Sequence, residues 1–307
     1  MGGSGGGGFF SPRDPDELRA DVKRALENKA EREIDLVLAE QLAKINDRDQ
    51  PLVEERLDAI ASALDEVLDE FDRLRFGGSV AKHTYVDGIS DIDSLVVIDS
   101  ASADIGTPTE LRRLVARALK KHLDHSSLAE RAISVGKLAV TVRYADGMEV
   151  QLLPALKRSD GIAISAKDGR TWSFIRPKAF ANTLTEANRS LGGRLVPTIK
   201  LAKALIDSIP RRDRPGGYHV EALAVDAFRQ YDGPHDRRSL VVHLLRHAGR
   251  RILRPIADVT GQSSRIDERL GPPRSADRQR VSRALGRLAR RAEQASDADT
   301  WRGLLEE

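Results

Sequence analysis

The segment from Gly77 to Ile98 constrains the fold of this chain more than any other part of its sequence. It contains a glycine-serine turn, an acid pair and an apolar run: Gly77-Gly78-Ser79, Asp91-Ile92-Asp93 and Leu95-Val96-Val97-Ile98. A continuous apolar run of this kind predicts a strand that is covered on both faces. Residues two apart on a strand point the same way, so Asp91 and Asp93 are predicted to present two carboxylates from one face.

This arrangement predicts chemistry on a nucleoside triphosphate. Carboxylates at the mouth of a buried strand are costly unless a cation compensates them. Mg²⁺, with Mn²⁺ as the alternative ion, is commonly held by one or two carboxylates together with substrate phosphates. The Gly78-Ser79 turn can bring backbone N–H groups close to phosphates, and Lys82 and Thr84 follow closely enough to assist. Taken singly, each element is also typical of an ordinary turn or a solvated strand end.

A third metal ligand is expected on a predicted hairpin strand. Ala145-Asp146-Gly147 separates two β-prone runs, and Asp-Gly between such runs predicts a hairpin. On the second run Glu149 and Gln151 share a face, so either could complete a two-metal site. The alternative is that Glu149 is the polar side of a half-exposed strand.

Two lysines are candidates for contacting the triphosphate. Lys200 and Lys203 lie three residues apart on a predicted helix and therefore share a face. Lysines on an otherwise apolar helix can reach phosphates, but they can equally be snorkelling side chains that serve no site.

Composition limits the function classes. The 307 residues are 40% hydrophobic and contain no cysteine, so a disulfide framework and a thiolate zinc site are excluded. The sequence has no apolar run long enough for a membrane span and no signal-peptide pattern, and the expected location is the cytoplasm, with no membrane partner. Arginine is concentrated between residues 211 and 291, yet aromatic residues make up only 4%. Nucleic acid is therefore left open as a partner rather than required.

The expected fold class is α+β, with a mixed β sheet core flanked by helices and followed by a helical lobe. Apolar periodicity predicts helices over 15–46 and 52–75, and Pro108 predicts the start of another. The expected divisions are a flexible glycine-rich lead over 1–8, a catalytic lobe with the N-terminal helices over 9–160, and a helical C-terminal lobe over 161–307.

These motifs resemble the DNA-polymerase-β-like nucleotidyltransferase superfamily. Within it, the chain is most similar to the bacterial cyclic-oligonucleotide synthases of anti-phage (CBASS) signalling, the relatives of cyclic GMP-AMP synthase and oligoadenylate synthase. The resemblance runs from about residue 53 to at least residue 230. It rests on the following blocks: Gly78-Ser79 with Lys82, Thr84 and Ser90-Asp91-Ile92-Asp93; Glu149-Val150-Gln151-Leu152-Leu153-Pro154-Ala155; Val196-Pro197-Thr198-Ile199-Lys200-Leu201-Ala202-Lys203; and Gly217-Tyr218-His219-Val220-Glu221-Ala222-Leu223. The family's third acid usually stands where this chain has Gln151, which leaves Glu149 as the nearby carboxylate.

The resemblance implies an oligoadenylate-synthase-like bilobal nucleotidyltransferase with its nucleotide site between the lobes. It implies Mg²⁺-dependent attack of a ribose hydroxyl on the α-phosphate of an NTP (ATP, GTP or a pyrimidine NTP), with release of pyrophosphate. Asp91 and Asp93 would hold both metals and Glu149 one of them. The product would be a cyclic or short linear oligonucleotide that activates a separate effector protein. Base identity, linkage and ring size stay open.

Two other functions remain. One is a nucleotidyltransferase that modifies an RNA or a protein, although the long C-terminal helical lobe argues against the minimal type. The other is a nucleotide sensor without catalysis, which is favoured by glutamine at position 151.

Overall fold

The computed structural model of the protein describes residues 15–46, 50–68, 71–76, 92–99, 106–158, 161–166, 168–259 and 265–306. In these ranges a mixed β sheet with helices on one face is followed by a helical C-terminal half. None of the described helices is both long and apolar enough to cross a membrane.

The sheet has seven strands among the described residues, in the order β1-β2-β5-β4-β3, with β6 added to β5 and β7 to β6. The strands β2 and β5 are parallel, and the other pairs are antiparallel. Their bounds are β1 Phe71–Phe76, β2 Ile92–Asp99, β3 Leu128–Val135, β4 Val140–Tyr144, β5 Glu149–Arg158, β6 Gly161–Ser165 and β7 Trp172–Ile175.

One face of the sheet is covered by helices α2 (Gln50–Asp65) and α3 (Pro108–His122). Alternate strand residues such as Val96, Val150 and Leu152 enter a buried cluster with these helices. Helix α3 begins at Pro108 as predicted, and a capping box between Thr107 and Glu110 fixes its first turn. The opposite face of β2, β5 and β6 carries a smaller apolar cluster.

The helix predicted over 52–75 is wrong in its second half. Helix α2 ends at Asp65, and residues 71–76 form β1, which pairs with β2 in antiparallel register. The spacing of Phe71 and Leu74 suits a helix equally well, but pairing with β2 satisfies the backbone in the sheet, and tertiary context overrides the local pattern. The hairpin at Asp146-Gly147 is confirmed, since β4 and β5 pair across it and Gly147 has a φ of 91°.

The C-terminal half packs around one large apolar cluster. Its helices are α4 Pro177–Ser190, α5 Leu195–Asp207, α6 Gly217–Ala227, α7 Arg237–Arg251, α8 Ala276–Gln294 and α9 Ala298–Glu306. Helix α1 (Pro15–Asn46) contributes Ile34, Val37 and Leu38 to this same cluster, although the sequence grouped it with the catalytic lobe. The sheet also continues through β6 and β7, past the boundary predicted at residue 160.

A buried charged network joins three helices of the C-terminal half. Arg278 on α8 and Asp267 have fully buried side chains, and Arg278 Nη1 donates to Asp267 Oδ2 at 2.6 Å. The same nitrogen donates to the carbonyl of Ile252 at the end of α7 at 2.8 Å. His219 on α6 is also buried, with Nε2 lying 3.5 Å from Asp267 Oδ2.

His219 makes folding stability sensitive to mild acid. Burial lowers the pKa of its imidazole from 6.5 to about 4, against the opposing attraction of Asp267. Between these values the unfolded chain binds more protons than the folded one, so the free energy of unfolding should rise with pH over this window and fall on acidification. We expect His219→Gln to remove most of this slope in urea titrations at a series of pH values. His122→Gln, at an exposed position on α3, should leave the slope as in the parent protein, and equal loss in both variants would contradict the assignment.

Candidate active site

The candidate site lies on the sheet face opposite α2 and α3, where three strands run side by side. In the parallel pair of β2 and β5, the backbone of Asp93 stands opposite Gln151. In the antiparallel pair of β5 and β4, Gln151 stands opposite Thr141 and Glu149 opposite Arg143. Val150 and Leu152 are fully buried on the helix-covered face. By strand alternation, Glu149 and Gln151 therefore face the other side, at the register of Asp93.

Glu149 is held by a neighbouring cation. Its Oε1 accepts a hydrogen bond from Arg143 Nε on β4, and both side chains are partly exposed. A bond from a guanidinium fixes the direction of one carboxylate oxygen and leaves the second oxygen for another partner. Glu149 is therefore oriented, but the guanidinium of Arg143 already offsets part of its negative charge.

Lys203 lies in an almost fully buried ion pair. Its side chain is 5% exposed, and its ammonium is 2.9 Å from Oε1 of Glu221 on α6, which is 1% exposed. In a pair this deep each charge compensates part of the desolvation of the other, and removing either one would leave an unpaired charge in the interior. The side chain of Lys203 is thus held against α6 and does not extend into solvent.

Solved structures share this arrangement of sheet and helices. The CD-NTase (cGAS/DncV-like nucleotidyltransferase) CdnG of Bradyrhizobium diazoefficiens, in complex with GTP, matches with a TM-score of 0.63 and 16% identity, over 89% of this chain and 98% of that one. CdnC of E. coli MS115-1, with ATP, matches with a TM-score of 0.62 and 14% identity, over 85% and 90%. Vibrio cholerae DncV, a cyclic AMP-GMP synthase bound to the linear intermediate pppA(3′,5′)pG, matches with a TM-score of 0.60 and 13% identity, over 92% and 86%.

The chain has the CD-NTase fold. The predicted α+β architecture is confirmed, and the likeness to the solved CD-NTases is a likeness of fold. No family model and no curated protein matches the sequence. The likeness is thus one of structure, carried by the fold at low sequence identity.

Several predicted site residues of this CD-NTase fold lie outside the described residues. They are Gly78, Ser79, Lys82, Thr84 and Asp91. Asp93 is described by its backbone position on β2. Among the residues that the structure describes, no group of three or more His, Asp or Glu side chains is arranged to hold a metal ion. The donors at the site are the carboxylate of Glu149 and the amide of Gln151 beside the Asp93 register, and oxygen ligands of this type fit Mg²⁺.

Lys200 does not share the burial of Lys203. It is partly exposed, and its ammonium donates a hydrogen bond to the side-chain oxygen of Asn46 at the end of α1. The two lysines are on one helix as predicted, but they engage different elements, α1 and α6. Their roles toward a triphosphate stay predictions.

Sequence reasoning missed two residues that hold candidate site residues in place: Arg143, which contacts Glu149, and Glu221, which contacts Lys203. Arg143 follows from the hairpin, because pairing across the Asp146-Gly147 turn brings residues 143 and 149 opposite each other. Glu221 had a signal too, since it is a lone acid in the apolar run Val220-Glu221-Ala222-Leu223. A charge in such a run calls for a buried partner, and Lys203 supplies it.

Proposed function

We propose that the chain is a Mg²⁺-dependent nucleotidyltransferase that joins nucleoside triphosphates into a cyclic or short linear oligonucleotide and releases pyrophosphate. The observation that carries this proposal is the strand register, which brings the backbone of Asp93 beside Gln151, with Glu149 on the same face of β5. The fold supports it, because proteins of this fold have been solved with GTP, with ATP and with a linear dinucleotide intermediate.

The roles proposed for the residues follow from their chemistry. Asp91, Asp93 and Glu149 would hold Mg²⁺, and the side-chain carbonyl of Gln151 is the alternative, uncharged ligand. When bound, Mg²⁺ supplies Lewis-acid stabilisation of the charge that develops on the phosphates. The backbone of Gly78-Ser79 would donate to the triphosphate, and the attacking ribose hydroxyl would lose its proton beside the carboxylates.

The lysines would act on the triphosphate from fixed positions. Because Glu221 holds Lys203 in a buried ion pair, the ammonium keeps one position with little entropy left to lose on binding. Lys200, tied to α1 through Asn46, would supply a positive charge from a more exposed site. Lys200 would offset charge on the leaving pyrophosphate, whereas Lys203, whose charge Glu221 already balances, would act as a positioned hydrogen-bond donor.

The proposed product is a second messenger of anti-phage signalling that acts on a separate effector protein in the cytoplasm. This part rests on the resemblance of the sequence blocks to the cyclic-oligonucleotide synthases. ATP, GTP and the pyrimidine NTPs are all candidate substrates.

Incubation of the purified protein with Mg²⁺ and labelled NTPs, without other macromolecules, tests the proposal. A phosphatase-resistant small product, with stoichiometric pyrophosphate, is the expected result. Label that appears only on added RNA or protein would instead identify a macromolecule-modifying transferase. NTP binding without turnover would identify a nucleotide sensor, the function that the Glu149–Arg143 ion pair and the neutral Gln151 favour.

Glu149→Gln separates the two candidates for the third ligand. Loss of this carboxylate should lower the rate of pyrophosphate release by about 10²-fold, because one charged ligand near the reacting phosphate is removed. The melting temperature should change little, since a partly exposed ion pair contributes only about 0–1 kcal/mol. Gln151→Asn, which shortens the neighbouring amide, is the matched variant. A wild-type rate in Glu149→Gln together with a strong loss in Gln151→Asn would move the ligand role to position 151.

A further inference from the structure

A row of uncharged polar side chains crosses the candidate-site face of the sheet, perpendicular to the strands. It starts at Gln151 on β5, beside the backbone of Asp93, and continues through Thr141 on β4 to Ser134 on β3. We call Gln151, Thr141 and Ser134 the polar row. Neighbouring strands lie about 4.8 Å apart, so Ser134 stands about 14 Å across the sheet from the register of Asp93.

The neighbours of Thr141 along β4 show which way the polar row faces. Val140 and Val142 are fully buried against the helices α2 and α3, so Thr141 between them faces the other side of the sheet. Ser134 is the cross-strand partner of Thr141, and residues paired in this way share a face. The polar row therefore lies on the same face as Glu149.

The two hydroxyls of the polar row are available to a ligand. Thr141 and Ser134 are both partly exposed, and among the described residues neither side chain has a hydrogen-bond partner. A hydroxyl donates one hydrogen bond and accepts two, so both residues can serve a ligand that carries donors as well as acceptors.

The face becomes apolar two residues further along the strands. Leu95 on β2 stands opposite Leu153 on β5, and both pack with the small apolar cluster of Ala155 and Ile164. A ligand on this face thus meets hydrogen-bonding groups on one side and an apolar surface on the other. Sites for small organic ligands commonly combine an apolar lining with a few placed polar groups, and a nucleoside has both a polar sugar and a planar base.

The charge of the polar row indicates which part of a nucleotide it fits. None of its three side chains is a cation, and the neighbouring Arg143 on β4 is engaged by Glu149. Phosphates are recognised by cations and by backbone N–H groups. Hydroxyl and amide side chains instead suit the hydroxyls of a sugar and the edge of a base, which are also uncharged.

We propose that Thr141 and Ser134 bind the acceptor nucleotide, the NTP whose ribose hydroxyl attacks, by hydrogen bonds to its ribose and to the edge of its base. The proposal rests on the nucleotidyltransferase function proposed above, which places the attacking hydroxyl beside Asp93. Because the polar row begins at that register, the nucleoside that carries the hydroxyl lies along the row. In the transfer the hydroxyl oxygen bonds to the α-phosphorus of the donor and pyrophosphate leaves, while the polar row holds the part of the acceptor that does not react.

Two NTP analogues separate the acceptor from the donor in a kinetic test. An NTP with an α,β-methylene bridge can accept but not donate, and a 2′,3′-dideoxy NTP labelled at its α-phosphate can donate but not accept. Thr141→Val and Ser134→Ala should each raise KM for the acceptor by about 3- to 10-fold, because each removes one hydrogen bond between uncharged groups. KM for the donor and kcat should stay as in the parent protein, since the lost contact is equal in the ground state and the transition state.

Two further variants are the controls. Thr141→Ser keeps the hydroxyl and should keep the parent KM for the acceptor. Ser173 is partly exposed on β7 and stands opposite Ile164, so it shares the face of the polar row but lies outside it. Ser173→Ala should therefore change neither KM. An unchanged KM for the acceptor in both Thr141→Val and Ser134→Ala, or a rise in KM for the donor instead, would overturn the proposal.

Equilibrium binding separates this proposal from the transferase function. If the parent protein transfers no nucleotide, its affinity for the α,β-methylene NTP is measured with the dideoxy NTP at saturation. The same weakening of about 3- to 10-fold in Thr141→Val and in Ser134→Ala then supports the polar row as a nucleoside site, although the transferase function has failed. No weakening, or no nucleotide binding by the parent protein, overturns the role of the polar row. Transfer with an unchanged KM for the acceptor contradicts the polar row alone.

Discussion

The double variant Asp91→Asn/Asp93→Asn is expected to lose nucleotide transfer by about 10³-fold or more, the largest functional effect of any change considered for this chain. Both substitutions keep the size of the side chain and remove the negative charge that a divalent cation requires. Affinity for the cation falls, and with it the stabilisation of charge on the transferring phosphate. The measurement is the single-turnover rate of pyrophosphate release at saturating Mg²⁺ and NTP.

The melting temperature of the double variant shows whether the loss of activity comes from loss of folding. Removing like charges from neighbouring positions relieves repulsion in the metal-free protein, so the melting temperature should be unchanged or slightly raised. Asp99→Asn, at the far end of β2 from the site, is the matched variant and should keep the parent rate. Full activity in the double variant would remove the metal-site proposal, whereas a cooperative loss of folding would leave the loss of rate without a catalytic explanation.

The fold was predictable where two kinds of signal agreed. The Asp146-Gly147 turn and the alternating strands around it both indicated a hairpin, and β4 and β5 form it. Helix α3 had a proline at its first turn and an amphipathic pattern, and it begins at Pro108. Residues 71–76 carried a helical spacing alone, and the partner that makes them a strand, β2, lies about twenty residues further along the chain. Such non-local pairing has no signature in a short window.

The sequence predicted the candidate ligands and lysines of the site, but it did not predict the residues that hold them in place. The parallel pairing of β2 with β5 joins segments that are distant in sequence. This pairing places Gln151, rather than Glu149, opposite Asp93. The engagement of Glu149 by Arg143 and of Lys203 by Glu221 likewise depends on which strands and helices meet. Sequence spacing gives the face of an element, whereas the opposing element supplies the charge that orients each ligand.

Arg278→Met is expected to cause the largest loss of stability in the C-terminal half. Asp267 would be left as a buried carboxylate without its cation, and breaking a buried pair in this way costs about 3–5 kcal/mol. The guanidinium also donates to the carbonyls of Ile252 and Gly271, at 2.8 Å and 3.0 Å, so the end of α7 and the segment before α8 lose their shared anchor. Urea unfolding followed by far-UV circular dichroism should report this loss, together with a fall in melting temperature of roughly 10 °C.

Arg280→Met is the matched control on the same helix. Arg280 is 41% exposed and pairs with Asp213 at 2.7 Å and with Asp277 at 2.8 Å, and partly exposed pairs of this kind contribute about 0–1 kcal/mol each. The double variant Arg278→Met/Asp267→Asn should recover part of the loss, because the unpaired charge is removed and the amide oxygen can still accept from Ile256 N. Equal loss of unfolding free energy in Arg278→Met and Arg280→Met would contradict the network, because the two arginines differ in burial. In the interior, the loss comes from the carboxylate that is left without a cation. At the surface, water takes the place of the lost partner.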